Sequence, residues 1–184
     1  MPVLQREPFI YPDALLSEPA ELPTAEWWVL HTRSRVEKSI ARKLLSRNVS
    51  FFLPWDARPL PSRQGKSCSY APLFPGYVFL YGDVYARQIA LETNQIASCL
   101  KVVDQNRLWS DLTQVYRILQ NGESLRPENR LQPGQLVEIV AGPLEGLRGK
   151  WLRQGTKGRF FVEVDMLQQG VSIEIDEWMI DIAR

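Results

Sequence analysis

The sequence predicts a two-part molecule. An α+β domain, an antiparallel sheet with flanking helices, is followed by a small five-stranded all-β barrel. Three observations predict it. Between residues 26 and 121, apolar runs of strand period alternate with segments of helical period. A polar, proline-containing stretch from Gly122 to Pro133 then interrupts the chain. Beyond it, apolar and polar residues alternate with period two, and turn residues recur about every 8–12 positions.

Taken in order, residues 1–25 carry prolines at 2, 8, 12, 19 and 23. Proline removes backbone donors and fixes φ, so a flexible, extended tail is expected. Trp27 to Thr32 reads as a buried strand. Arg35 to Arg47 reads as a helix, because Val36, Ile40 and Leu44 form an apolar stripe that Ala41 and Leu45 widen. Val49 to Trp55 is β-branched and aromatic, a second strand. Residues 57–72 hold Arg58, Arg63 and Lys66 and no acid, and read as a basic loop or protruding hairpin. Pro75-Gly76 suits the centre of a type II turn, and Tyr77 to Tyr81 follows as a strand. Val84 to Asn94 reads as a short helix, Ile96 to Val103 as a strand, and Asp111 to Gln120 as a helix capped by Ser110. After the 122–133 linker, residues 134–184 read as strands through Leu136, Ile139, Trp151, Phe161, Val164, Val171 and Ile173. Strong alternation over 159–175, with Gly155, Gly158 and Gly170, favours a stable barrel there over a switch to helix.

Composition narrows the function. The chain has 184 residues, 45% hydrophobic and 23% charged, enough to bury a core. No apolar run is long enough to span a membrane. The first residues lack the basic-then-apolar order of a signal peptide, so a cytoplasmic protein is expected. Cys68 and Cys99 are the only cysteines and His31 the only histidine. That is too few for a disulfide framework or a multi-histidine metal site, and no cofactor is expected. The net charge of +1 hides a division. Residues 1–25 hold one basic and four acidic groups, 26–121 hold 13 and 7, and 122–184 hold 8 and 10. A basic middle suits weak contact with a polyanion.

The sharpest motif runs from Gly134 to Gly149, Gly-Gln-Leu-Val-Glu-Ile-Val-Ala-Gly-Pro-Leu-Glu-Gly-Leu-Arg-Gly. It resembles a KOW motif, which nucleates an SH3-like barrel in transcription elongation factors and some ribosomal proteins. Upstream, Glu26-Trp-Trp-Val-Leu-His-Thr32, a basic helix, and Leu73-Phe-Pro-Gly-Tyr-Val-Phe79 follow one another. Together these resemble the NusG family of transcription elongation and antitermination factors, in order and spacing, from Glu26 to Arg184. The resemblance implies an NGN-like RNA polymerase-binding domain at 26–121 and a KOW barrel at 134–184. The proline-rich start, Arg87-Gln88 and an aliphatic KOW loop favour a specialised antiterminator paralogue similar to RfaH over a general factor.

What the family implies can be carried onto these residues. The factor binds the clamp helices of RNA polymerase core, bridges the DNA cleft to the gate loop, and suppresses pausing or termination. The clamp surface would use Trp28, Phe74, Pro75, Tyr77, Phe79 and Val103, with Val115 and Ile118 nearby; Tyr77 and Phe74 are the strongest candidates. Strand alternation sends about half of such residues into the core. The gate-loop contact, at the start of the second helix, would fall on Arg87 and Gln88. The non-template DNA strand would meet Arg33, Arg35, Lys38, Arg42, Lys43 and Arg47. Of these, Arg35, Lys38 and Arg42 lie within about 60° of arc on a helix. Arg58, Arg63 and Lys66 would reach duplex DNA. A second partner, Rho or a ribosomal small-subunit protein, would meet the KOW loops at Leu144, Leu147, Met166 and Leu167. The factor is expected as a monomer and not as an enzyme.

Two other classes compete. A cysteine hydrolase would pair Cys99 with His31 as nucleophile and base. A ribosome-associated RNA-binding protein would also carry a KOW segment, but the excess of acid in 122–184 argues against it.

Overall fold

Aromatic and branched residues fill the run from Trp27 to Thr32. In the computed structural model they form an interior strand buried on both faces. The structure describes residues 8–17, 24–60, 67–123, 125–128, 134–154 and 157–183, without the side chains of 57–60, 67–69, 153, 154 and 157. The chain divides into two units, Met1–Gln105 and Asn106–Arg184.

The first unit is built on a five-stranded antiparallel sheet. Its strands are β1 (Ile10–Tyr11), β2 (Glu26–Thr32), β3 (Ser50–Phe52), β6 (Tyr77–Gly82) and β7 (Ile96–Lys101), in the spatial order β1-β3-β6-β2-β7. Between β3 and β6, β4 (Trp55–Leu60) and β5 (Ser67–Pro72) form a separate hairpin. Leu53-Pro54 breaks the single strand expected from Val49 to Trp55 into β3 and β4, because proline cannot donate to a ladder. Ile10 pairs with Phe52, and Leu15 and Leu16 are buried, so part of the proline-containing start is folded against the unit.

Helix α1 (Glu37–Ser46) begins two residues later than its apolar pattern suggests. Arg35 has φ +62°, a left-handed geometry no helix continues through. The helix ends in a Schellman motif. Asn48 has φ +55°, its N–H donates to the Leu45 carbonyl at 3.0 Å, and Val49 N–H donates to Leu44 at 3.0 Å. Helix α2 (Val84–Glu92) is capped by Asp83, which accepts from Ala86 N–H at 3.0 Å. Ile40, Ala41, Leu44 and Ala90 from the helices pack on Leu30, Phe51, Val78 and Leu80 of one sheet face. Trp27, Val29, Phe52, Phe79 and Tyr81 are buried on the other face.

Helix α3 (Gln105–Gln120) starts six residues before the expected Asp111. Ser110 is therefore internal and caps nothing. Gln105 fixes the earlier start by accepting from Trp27 N–H at 2.7 Å and donating to the Trp27 carbonyl at 3.1 Å.

The second unit holds most of α3 and a six-stranded antiparallel sheet. Its strands are β8 (Arg126–Glu128), β9 (Gln135–Ile139), β10 (Arg148–Gln154), β11 (Lys157–Val164), β12 (Gln169–Ile175) and β13 (Ile180–Ile182), in the order β13-β9-β10-β11-β12-β8. This corrects the expected SH3-like KOW barrel. A barrel closes only when its outermost strands hydrogen-bond to each other. Here β13 pairs with β9 and β8 with β12, and no ladder joins β13 to β8 among the described residues. The sheet is open. Residues Arg126–Glu128 of the expected linker supply one edge. Among the described residues, no helix is long and apolar enough to cross a membrane.

Candidate functional site

The turn between β5 and β6 has the geometry its Pro-Gly pair demands. Gly76 has φ +84°, and Tyr77 N–H donates to the Phe74 carbonyl at 3.1 Å, a type II turn. It is held from two sides. Gly76 N–H donates to Glu37 Oε1 at 2.8 Å, and the Gly76 carbonyl accepts from Thr32 N–H at 2.8 Å. Pro75 is thereby exposed and Tyr77 half-buried, its ring 5.1 Å from that of His31. Phe74 and Phe79 are buried, packed edge to face at 5.9 Å.

The apolar residues expected to share one surface do not all share one. Tyr77 and Phe79 lie on the sheet face away from α1 and α2. Trp28 alternates to the helix-covered face. There its Nε1 donates to the Gly82 carbonyl at 3.3 Å, and the Arg87 guanidinium stands 5.2 Å over its ring. Val103 is 98% exposed beyond the end of β7. On α3, Val115 and Ile118 are fully buried. Gln88 is exposed on α2, bonded to Glu92 at 3.0 Å.

Two residues missed by the sequence reading stand at the start of α2. Val84 is 68% and Tyr85 75% exposed. The signal lay in the helical period: Ala86, Ile89 and Ala90 turn inward, which leaves both large apolar residues outside.

The basic face of α1 is sharper than its composition suggests. Glu37 is the helix's only acid, and it is buried against the Gly76 amide. The outer face therefore carries no carboxylate of its own. Arg33, Arg35, Arg42, Lys43 and Arg47 are exposed, with Lys43 Nζ 3.4 Å from the Thr93 carbonyl. Lys38 is drawn off this face, since its ammonium lies 5.0 Å over the Trp55 ring. Arg58 lies in β4, its side chain not described; Arg63 and Lys66 lie outside the described residues.

In the second unit, α3 grips the loops of the KOW segment at three points. Asp111 Oδ2 accepts from Asp165 N–H at 3.1 Å, Gln114 Oε1 accepts from Arg148 N–H at 2.9 Å, and Arg117 donates to the Glu145 carbonyl at 2.8 Å. A spacing of three residues sets all three on one helix flank. Leu144, Leu147 and Leu167 are buried and Met166 half-buried. Burial pushes the Asp111 carboxyl up to about 6, against the opposing pull of the Asp165 N–H and of Arg107 at 3.2 Å.

The Cys99–His31 pairing has no geometric support. Cys99 pairs in register with Leu30 and packs with the helix-covered core, whereas His31 lies on the opposite face beside Tyr77. Among the described residues, no group of three or more His, Cys, Asp or Glu could hold a metal ion.

A family model described as NusG, transcription termination factor nusG, matches residues 25–127, more than half of the chain. A solved structure described as showing domain interaction in Thermotoga maritima NusG is 16% identical. It covers 88% of this chain and 98% of its own, with a TM-score of 0.47. An MjSpt4:Spt5 complex is also 16% identical, covering 85% and 96%, with a TM-score of 0.27. No curated protein matches. On the family match, the chain belongs to the NusG family, whose members regulate transcription in association with RNA polymerase and catalyse no reaction.

Proposed function

We propose that this protein is an elongation and antitermination factor that binds the polymerase clamp helices, bridges the cleft to the gate loop, and suppresses pausing or termination. The observation that carries this reading is the Phe74–Tyr77 turn. Glu37 and Thr32 hold it so that Pro75 and Tyr77 reach solvent at the start of β6. An aromatic ring presented on a rigid turn gives contact area at small entropy cost. Pro75, Tyr77 and Val103 meet the clamp, and Trp28, on the opposite sheet face, does not join them. Phe74 and Phe79 hold the turn from beneath. Arg87 and Gln88 face the gate loop. Arg33, Arg35, Arg42, Lys43 and Arg47 contact the phosphates of the displaced non-template strand, with Lys38, Arg58, Arg63 and Lys66 as flanking cations.

The domain from 26 to 121 is the polymerase-binding part. The KOW segment recruits a second protein, Rho or a ribosomal small-subunit protein, near Leu144, Leu147, Met166 and Leu167. An aliphatic loop and the Arg87-Gln88 helix start support a specialised paralogue similar to RfaH. Core polymerase pull-down should recover the wild-type protein, and Tyr77→Ala should weaken capture by about 2 kcal/mol or more. Unchanged capture would remove the clamp assignment. Deleting residues 134–184 should keep polymerase capture and abolish any effect that needs the second protein. Occupancy confined to a few operons would support specialisation, and uniform occupancy would refute it.

A further inference from the structure

The second unit contains an open cavity of about 160 Å³ whose floor is apolar and whose rim is acidic. Ile139, Leu144, Ile175 and Met179 form the floor, and Glu123, Glu174 and Asp176 stand at the rim. The backbone builds this hollow. Gly142 has φ +87°, a left-handed geometry that favours glycine, and the Met179 methyl lies against it, 2.8 Å from where a Cβ would stand. Val140 N–H donates to the Met179 carbonyl at 2.8 Å, and Met179 N–H closes a turn onto Asp176 at 3.0 Å. The segment after β12 is thus pinned to the KOW loop, and the cavity lies between them.

The rim charge is in excess. Arg126 takes up Glu174 at 3.3 Å, but Glu123 and Asp176 have no ion-pair partner among the described residues, and both are exposed. Beside Met179 in the chain, Trp178 is 71% exposed, and Val140 is 47% exposed on the adjoining loop. An apolar cavity of roughly 150 Å³ holds a group the size of benzene, so this one admits a single long side chain. An apolar floor under carboxylates suits a side chain with an aliphatic stem and a cationic head. Nucleic acid is disfavoured, because its phosphates would face the same carboxylates.

We propose that this cavity is the docking point for a basic segment of a partner protein, which inserts the stem of a lysine or arginine over Met179 and Leu144 and sets its charge against Glu123 and Asp176. The proposal rests on the reading that the KOW segment recruits a second protein, and it supplies that partner's chemistry. It also moves the contact from the buried Leu147 and Leu167 to an accessible hollow that Leu144 lines.

The test is a titration of the isotope-labelled full-length protein, followed by amide chemical shifts. The probe is an acetylated heptapeptide alternating lysine with leucine. Controls are the same peptide with glutamate for lysine, and oligothymidylate. Shifts should concentrate at Val140, Asp176 and Met179 with the lysine peptide alone. The double variant Glu123→Gln/Asp176→Asn, both at exposed positions, should stay folded and bind about five- to tenfold more weakly. Equal binding by the glutamate peptide, shifts at the cavity with oligothymidylate, or lysine-peptide shifts elsewhere on the surface would each overturn the proposal. Lysine-peptide binding at the cavity, alongside a 134–184 deletion that changes nothing in transcription, would support the site and refute recruitment. The reverse pair of results would refute the site alone.

Discussion

Glu37 shows how one side chain serves two surfaces. Its carboxylate satisfies the Gly76 amide, which fixes the turn bearing Tyr77, and by turning inward it leaves the outer face of α1 without a carboxylate of its own. Glu37→Ala should destabilise the first unit by about 1–3 kcal/mol, the cost of orphaning a buried donor. It should also lower polymerase capture by more than a surface Glu→Ala change does. Denaturant melts and pull-downs check both. A second residue-scale prediction concerns Asp111, with Arg107 and Asp165 the charges that face it. Its carboxyl is raised from 3.8 to about 6, so between those values the native state binds more protons than the unfolded chain. The resulting stability is complete below about pH 4 and lost as pH rises through about 6, on the order of 3 kcal/mol at most. Asp111→Asn should flatten that decline in urea midpoints measured from pH 4 to 7; a parallel decline in both proteins would refute the assignment.

The elements carry their own lesson in what a pattern can and cannot say. Salt dependence is the measurement for α1 and the loop before it. Removing Arg33 and Arg35 together should reduce the slope of log affinity for oligothymidylate against log salt by about 1.4. An unchanged slope would place the strand elsewhere. The helix stripe at Ile40 and Leu44 and the Pro-Gly turn were legible, because each depends on neighbours in sequence. The inward turn of Glu37 was not, since the amide it meets lies 39 positions away. Alternation showed that some aromatics must be internal. It could not place Trp28 and Tyr77 on opposite faces without knowing which face α1 and α2 cover. The start of α3 was missed because Ser110 offers a nearer capping signal than Gln105, whose partner is Trp27.

At the scale of the whole molecule, period-two alternation revealed the strands after residue 134 but not their arrangement. The pattern is the same for an open sheet and a closed one. The added edge β8 comes from a stretch whose composition reads as linker. A fragment spanning 106–184 keeps α3 and β8, whereas 134–184 loses both. The longer one should be more stable by roughly 2–4 kcal/mol, counting the buried apolar face of α3 at Leu112, Val115 and Ile118 and the edge strand that the shorter one lacks, as urea unfolding would show. Equal midpoints would mean that the helix and edge strand contribute nothing.

The three-point grip of α3 on the KOW loops reaches main-chain atoms alone: the N–H of Asp165, the N–H of Arg148 and the C=O of Glu145. Every residue except proline offers the same amide, and every residue the same carbonyl. The outward-facing chemistry of those loops is therefore decoupled from their anchoring. New side chains can be tried there, and a different companion recognised, while the scaffold beneath keeps its hold.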